Sequence, residues 1–266
     1  MELLQIITLA IIQGLTEFLP ISSSGHLVLA PIVTGWPDQG LALDVATHVG
    51  TLVAVIAYFY QDIVKITKAG LTGPFAGRCN KDCKKFYLLI LAAVPVALAG
   101  LIFADFIEQN LRSALVIALA SIGFGLLLQL ADVKGPKLRD DTSIGFKDAL
   151  IIGLMQILAL IPGTSRSGIT MTAGLMLGLS RKASARFSFL LAIPVIFLAG
   201  SYETYKLITE PAKDNWSFII IAATVAAIVA FLCIHFFLQL INKIGMLPFV
   251  IYRVLLGLIL LLVFYT

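Results

Sequence analysis

The chain has 266 residues, of which 59% are hydrophobic and only 13% charged, with a mean hydropathy of +1.00. A soluble domain carries roughly 25% charged residues, so a soluble globular protein is excluded and a polytopic, all-α membrane protein is indicated. The net charge of +4 is small and gathered in loops, where it reports topology and gives no support to nucleic-acid binding.

At the N-terminus, Glu2 precedes an apolar run with neither the cationic region nor the small-residue cleavage site of a secretory signal, so the run is read as part of the mature structure. It leads into QGLTEFLPISSSGH, Gln13 to His26, which sets a carboxylate, three serines, a histidine and a proline into hydrocarbon. A charged side chain at mid-membrane costs at least about 2.5–3.5 kcal/mol, so such residues usually line a protected cavity and act there. Gln13 and Glu17 are four residues apart and share a helix face. Together they can bind a divalent cation through oxygen, or Glu17 can exchange protons. After Pro20, the run Ser22, Ser23, Ser24, Gly25, His26 opens a short helix over 24–34 whose first amides suit an anion. His26 can serve as base for a serine, can attack phosphorus itself, or can be a hydrogen-bonded structural residue. His48 and His235 lack such company and are read as structural.

Apolar runs near 44–60, 86–104, 113–131, 187–202, 217–240 and 247–265 approach the about 20 residues that a bilayer span needs, giving six spans. Asp44 is read as a cap at the start of the first. Basic residues gather at Lys65, Lys68, Arg78, Lys81, Lys84 and Lys85, then at Lys134, Lys137, Arg139 and Lys147, then at Arg181, Lys182 and Arg186. The positive-inside rule makes these loops cytoplasmic. The opposite connections, Asp105 to Glu108 and Glu203 to Asp214, are acidic or mixed, and Trp216 marks an interface there. Cys79, Cys83 and Cys233 suggest neither a disulfide framework nor a zinc site. Arg253, opening the last span, is read as structural, paired with a buried carboxylate or facing headgroups. No GxGxxG loop or Walker lysine supports redox cofactors or nucleotide hydrolysis.

A shift of 143 positions superposes Gln13 on Gln156, Ser22 on Ser165, Ser24 on Ser167, Gly25 on Gly168 and Gly35 on Gly178. Each copy reads as an apolar helix, a proline-containing turn and a second short helix. Residues 5–18 give a helix of about 21 Å and 24–34 one of about 16 Å, against a hydrocarbon core of about 30 Å. Loop charge favours two re-entrant pairs. A single crossing by 149–179 would put Arg181, Lys182 and Arg186 on the side opposite the basic loop 132–148. Three spans after each pair then invert the second half relative to the first, with both termini outside. The expected architecture is one integral-membrane domain over 1–266, with repeat one at about 1–132 and repeat two at about 145–266. Interrupted segments at matching positions of two halves point to a site near the midplane.

The second turn reads PGTSRSGIT, Pro162 to Thr170. Its amides lie at a helix start, which carries about half a positive charge. Arg166 adds a planar donor fork matched to phosphate oxygens, and Ser165, Ser167 and Thr170 add hydroxyls. With the backbone of Gly163, Thr164 and Gly168, this makes a phosphate cradle. The alternative is an arginine snorkelling to the interface above serines that only cap a helix.

At these residues the chain resembles the undecaprenyl pyrophosphate phosphatase family, integral-membrane proteins tied to bacitracin resistance. Gln13 to Glu17 matches that family's Glu-or-Gln, three residues, Glu pattern, and Pro162 to Thr170 matches its PGxSRSxxT pattern; FSFLLAIP at 187–194 and LPFVIYR ending at Arg253 extend the likeness over essentially the whole chain. The resemblance implies hydrolysis of undecaprenyl diphosphate to the monophosphate and inorganic phosphate, recycling the carrier for peptidoglycan and other wall polymers, with bacitracin competing for the substrate. It also implies a divalent metal, Mg2+ or Ca2+, a bacterial inner-membrane location and a site opening to the periplasmic or outer face. Carried onto this chain, Glu17 holds metal or activates the attacking group and Arg166 clamps the diphosphate. Ser22, Ser23 or His26 supplies nucleophile or proton transfer, while Ser165, Ser167 and Thr170 bind phosphate oxygens. Some members carry glutamate where this chain has Gln13; a carboxamide cannot be a general base, which concentrates acid chemistry on Glu17.

The rival reading is a polyprenyl-phosphate transporter or flippase, because inverted repeats with broken helices and a midplane anion site also describe secondary transporters. A non-catalytic resistance or scaffold protein is the third. The partners expected are the lipid diphosphate and membrane lipids; a homo-oligomer is left open.

Overall fold

The computed structural model describes residues 2–74, 79–209 and 216–265; Arg78 and Asp214, named above, lie outside them. The helices are α1 (Leu3–Thr16), α2 (Ser23–Thr34), α3 (Gly40–Tyr58), α4 (Tyr60–Thr72), α5 (Lys81–Asn110), α6 (Ala114–Lys134), α7 (Phe146–Gln156), α8 (Arg166–Met176), α9 (Arg181–Thr209), α10 (Trp216–Ile244) and α11 (Leu247–Tyr265). Six of these, α3, α5, α6, α9, α10 and α11, are long and apolar enough to cross a membrane, as hydropathy led us to expect.

The short helices α1, α7 and α8 pack against long ones. Helix α1 packs on α10 and α7 on α5, α3 runs between α10 and α9, and α6 pairs with α11 while touching α8. Small residues allow the closest approaches. At Gly50 a side-chain carbon would collide with the backbone of Ala223, so α3 and α10 meet there backbone to backbone. Gly50→Val should overpack this seam by about 2 kcal/mol and lower the melting temperature in detergent by roughly 4–8 °C. Gly123→Val, where an added carbon meets no atom within 4 Å, should leave it nearly unchanged.

The hairpin of α7 and α8 starts and finishes at one place. Arg139 donates to both carboxylate oxygens of Asp148 at 3.1 and 2.7 Å, near the start of α7, and to the carbonyl of Leu177 at 2.9 Å, at the end of α8. Its backbone also pairs with Gly178 and Ser180. The hydrogen bonds from Arg139 hold the Asp148 carboxyl below the usual carboxylate range against partial burial. Further ion pairs, Arg181 with Asp132, Lys85 and Arg186 with Asp141, and Arg186 with Asp62, draw the three basic segments to the same end of the molecule.

Three expectations are corrected. Cys79 and Cys83 are joined in a disulfide that closes one turn at the start of α5, a local link that the search for a framework overlooked. Asp44 is not a helix cap: α3 begins at Gly40, and Asp44 accepts a hydrogen bond from Gln39 Nε2 at 3.0 Å. Residues 60–72 form the separate helix α4, which packs on α5; its alternation of lysines with apolar residues falls below any span threshold.

Candidate active site

Both broken segments turn in the same way. Ser22 and Ser165 precede α2 and α8 in the left-handed region, with φ of 74° and 71°, a conformation that costs a non-glycine residue about 1–3 kcal/mol. Each Oγ repays part of that by accepting the amide three residues on, Gly25 N at 3.3 Å and Gly168 N at 3.1 Å. Each also lies beside a second serine hydroxyl, Ser24 at 3.4 Å and Ser167 at 3.1 Å. A helix start leaves up to four amides without intrahelical partners; the serine takes one, and the rest of the first turn can receive an anion.

The turns touch. Ser167 Oγ donates to the carbonyl of Leu19 at 2.8 Å. Gly163, with φ of 93°, runs so close to α6 that a side-chain carbon would lie 2.5 Å from the Ile117 carbonyl; only glycine combines that φ with that approach. Arg253, fully buried on α11, pairs with no carboxylate among the described residues. It donates to the carbonyls of Gly163 at 2.9 Å, Thr164 at 2.8 Å and Ser121 at 3.2 Å, and more weakly to Pro20 and Ala120. It is structural, as expected, but it acts by pinning both turns to α6.

Glu17 and Arg166 meet where the turns meet. The carboxylate, 7% exposed, accepts from Arg166 Nη2 at 3.1 Å on Oε1, and from Ser23 Oγ at 2.7 Å and Gln13 Nε2 at 3.0 Å on Oε2. Arg166 is steadied by the carbonyl of Ser188 on α9 at 3.0 Å and by the ring of Phe18, 5.8 Å from its centre. Phe18 in turn packs edge-on against Phe189 in the main core, so packing fixes the backbone that presents Glu17.

The remaining expected residues divide by what they touch. Thr170 is buried, bonded to the Arg166 carbonyl and to Ser188 Oγ at 2.7 Å, and Thr164 is buried with its hydroxyl unpartnered. Ser22, Ser165 and Ser167 spend their hydroxyls inside the turns. Ser24 is exposed and Ser23 partly so, which leaves Ser23 as the serine that both reaches Glu17 and faces outward. His26 is not bonded to any serine hydroxyl: Nδ1 meets the Ser22 carbonyl at 2.7 Å, and Nε2 meets the phenol of Tyr252, against which its ring stacks. His235 pairs with Gln239 on its own helix, in keeping with a structural role.

Three residues escaped the sequence reading. Ser188 lies in the apolar FSFLLAIP stretch, and Tyr252, next to Arg253, has no role assigned from the sequence. His48 was set aside as structural, yet Nε2 stands 3.9 Å from Glu17 Oε2. Its only local signal was a histidine one turn beyond Asp44 inside a span.

Helices of membrane length around a buried carboxylate, guanidinium and serine define a multi-pass membrane protein with a polar centre in its interior. The chain matches the family described as Bacitracin resistance protein BacA over residues 6–259, and it belongs to that family. It is 54% identical over 267 residues to the undecaprenyl-diphosphatase of Thioalkalivibrio sulfidiphilus (strain HL-EbGR7), covering 100% of both chains. It is 53% identical over 267 residues to undecaprenyl-diphosphatase 2 of Stutzerimonas stutzeri (strain A1501), covering 99% of both. To the undecaprenyl-diphosphatase of Colwellia psychrerythraea (strain 34H / ATCC BAA-681) it is 54% identical over 264 residues, covering 97% of each.

Proposed function

We propose that this chain hydrolyses undecaprenyl diphosphate to undecaprenyl phosphate and inorganic phosphate, recycling the lipid carrier for wall polymers and so opposing bacitracin, which competes for the same diphosphate. The observation that carries the reading is the single buried carboxylate of Glu17 held at once by Ser23 and, across the two turns, by Arg166. The family and the named relatives supply the substrate class.

The arrangement suits serine attack. As Ser23 Oγ bonds to the terminal phosphorus, its proton passes to Glu17 at 2.7 Å, and the bond from phosphorus to the bridging oxygen breaks, freeing the lipid monophosphate. Water then attacks the phosphoserine, Glu17 returns its proton to the departing Oγ, and phosphate leaves carrying both hydrogens of the water. Arg166 and the first-turn amides of α2 and α8 stabilise the charge that builds on the phosphoryl oxygens, beside a Glu17 carboxylate that is itself buried. His26, one turn beyond Ser23 on the same face of α2, is placed to steer the bridging oxygen or its proton. Gln13 Oε1 is buried without a partner beside Glu17, so Gln13 and Glu17 suit a hard divalent cation such as Mg2+ or Ca2+. Such an ion, when bound, offsets the charge of the two phosphates.

The topology follows from the same observations. The closed base of the α7–α8 hairpin at Arg139, with the basic segments drawn to one end, supports re-entrant pairs whose bases face the cytoplasm for the second and the outer face for the first. Exchanging the halves preserves two of the packings: α1 on α10 mirrors α7 on α5, and α3 on α10 mirrors α9 on α5. This supports an inverted repeat with halves at about 1–132 and 145–266. The family resemblance supports an inner-membrane protein with both termini and the site opening at the periplasmic face.

Purified protein in detergent, given a polyprenyl diphosphate and Mg2+, should release phosphate without any membrane gradient, which a flippase alone would not do. Ser23→Ala should lower that release at least about 100-fold and abolish a trapped phospho-enzyme. Full activity in Ser23→Ala would remove serine from the mechanism.

A further inference from the structure

We propose that His48 is a nitrogen ligand of the divalent cation held at Gln13 and Glu17. This inference rests on the cation named above, but it concerns a residue outside both sequence motifs. His48 Nδ1 lies 2.8 Å from the carbonyl of Asp44. A carbonyl only accepts, so Nδ1 carries a hydrogen, and the tautomer with its hydrogen there alone presents the lone pair of Nε2 towards Glu17.

The gap between Nε2 and Glu17 Oε2 is 3.9 Å, too wide for a hydrogen bond. It lies within the roughly 4.2 Å that two ligands, each about 2.1 Å from one ion, can span. The unpartnered Gln13 Oε1 is an independent sign that a donor or cation is missing beside Gln13. Gln13 currently turns its nitrogen to Glu17, and a half-turn of the amide brings the orphan oxygen to the same point. Among the described residues no three His, Cys, Asp or Glu side chains cluster as a complete metal cage. Two oxygens and one nitrogen from the protein leave positions for phosphate oxygens and water, the usual plan where an ion works on a substrate phosphate. His48 is 35% exposed on its side chain, and the Gly50 contact two residues on fixes α3 against α10.

A nitrogen in the set shifts selectivity: Mn2+ should bind more tightly than Ca2+, because imidazole suits transition metals and adds nothing for calcium. The test uses the full chain in detergent micelles with Mn2+ as probe. Electron spin-echo envelope modulation should show nitrogen coupling to the bound ion, and labelling only histidine with 15N should change the modulation frequency. His48→Gln should remove the coupling and weaken Mn2+ binding at least about tenfold, the loss typical of a mere outer partner. His235→Ala should keep both. Absence of histidine coupling in the unmodified chain, or its persistence in His48→Gln, overturns the proposal without any dependence on how variants fold. Phosphate release by the same preparation is read separately: release without coupling leaves the hydrolase reading intact and removes His48, and coupling without release does the reverse.

Discussion

Glu17→Gln is expected to lower phosphate release about 10²–10⁴-fold, the range for losing a positioned proton acceptor, while the protein still folds and binds its lipid. The substitution is nearly isosteric, so an amide oxygen can still accept from Ser23 or Arg166. What it loses is the capacity to take the Ser23 proton and the charge that balances Arg166. Both matter in the same step, because attack by an unassisted hydroxyl is slow and a guanidinium left without its carboxylate is oriented only by Ser188 and Phe18. The loss should fall on kcat, with KM little changed, since the diphosphate still meets Arg166 and the helix starts. Stopped phosphate-release assays on matched amounts of monodisperse protein give the ratio directly.

Arg253→Met should destabilise the fold by about 3–5 kcal/mol, because several buried carbonyls lose their donor at once. Methionine fills much of the volume but leaves the carbonyls of Gly163, Thr164 and Ser121 without donors in a site closed to water. Each such orphan costs about 1–3 kcal/mol, and relaxation of the turns recovers part of the total. Arg253→Lys should be intermediate, because one ammonium cannot span acceptors that the planar fork reaches on both turns and α6 at once. Thermal unfolding in detergent ranks the three proteins. Activity should fall faster than stability in the lysine variant, since Pro20 and Gly163 belong to the turns that carry Glu17 and Arg166.

Much of this was legible in the residues because a membrane makes polar side chains conspicuous. Glu17, Ser23, His26 and Arg166 stood out by cost alone, and the six long helices followed from hydropathy. The shift aligns Ser22 with Ser165, the two serines that share one left-handed backbone geometry, although the geometry itself has no sequence signal. What stayed hidden depends on contacts between distant parts of the chain. Nothing local tells that Arg253 will reach carbonyls near positions 20, 121 and 163, or that His48 will face Glu17 from another helix. The roles of the serines were blurred for the same reason: one spacing rule covers Ser22, Ser23 and Ser24, yet the left-handed turn buries the first, aims the second at Glu17 and exposes the third. Helix α4 and the Cys79–Cys83 link were missed because both are short-range features whose composition resembles an ordinary basic loop.

The central claim is that Glu17 from the first turn and Arg166 from the second act as one unit on one diphosphate. A double-mutant cycle on phosphate release, with Glu17→Gln, Arg166→Gln and the two combined, measures that coupling. The account predicts that the combined variant is about as slow as the slower single one, because either loss already disables the shared centre. Losses that multiply, or a single variant that retains ordinary turnover, would contradict it.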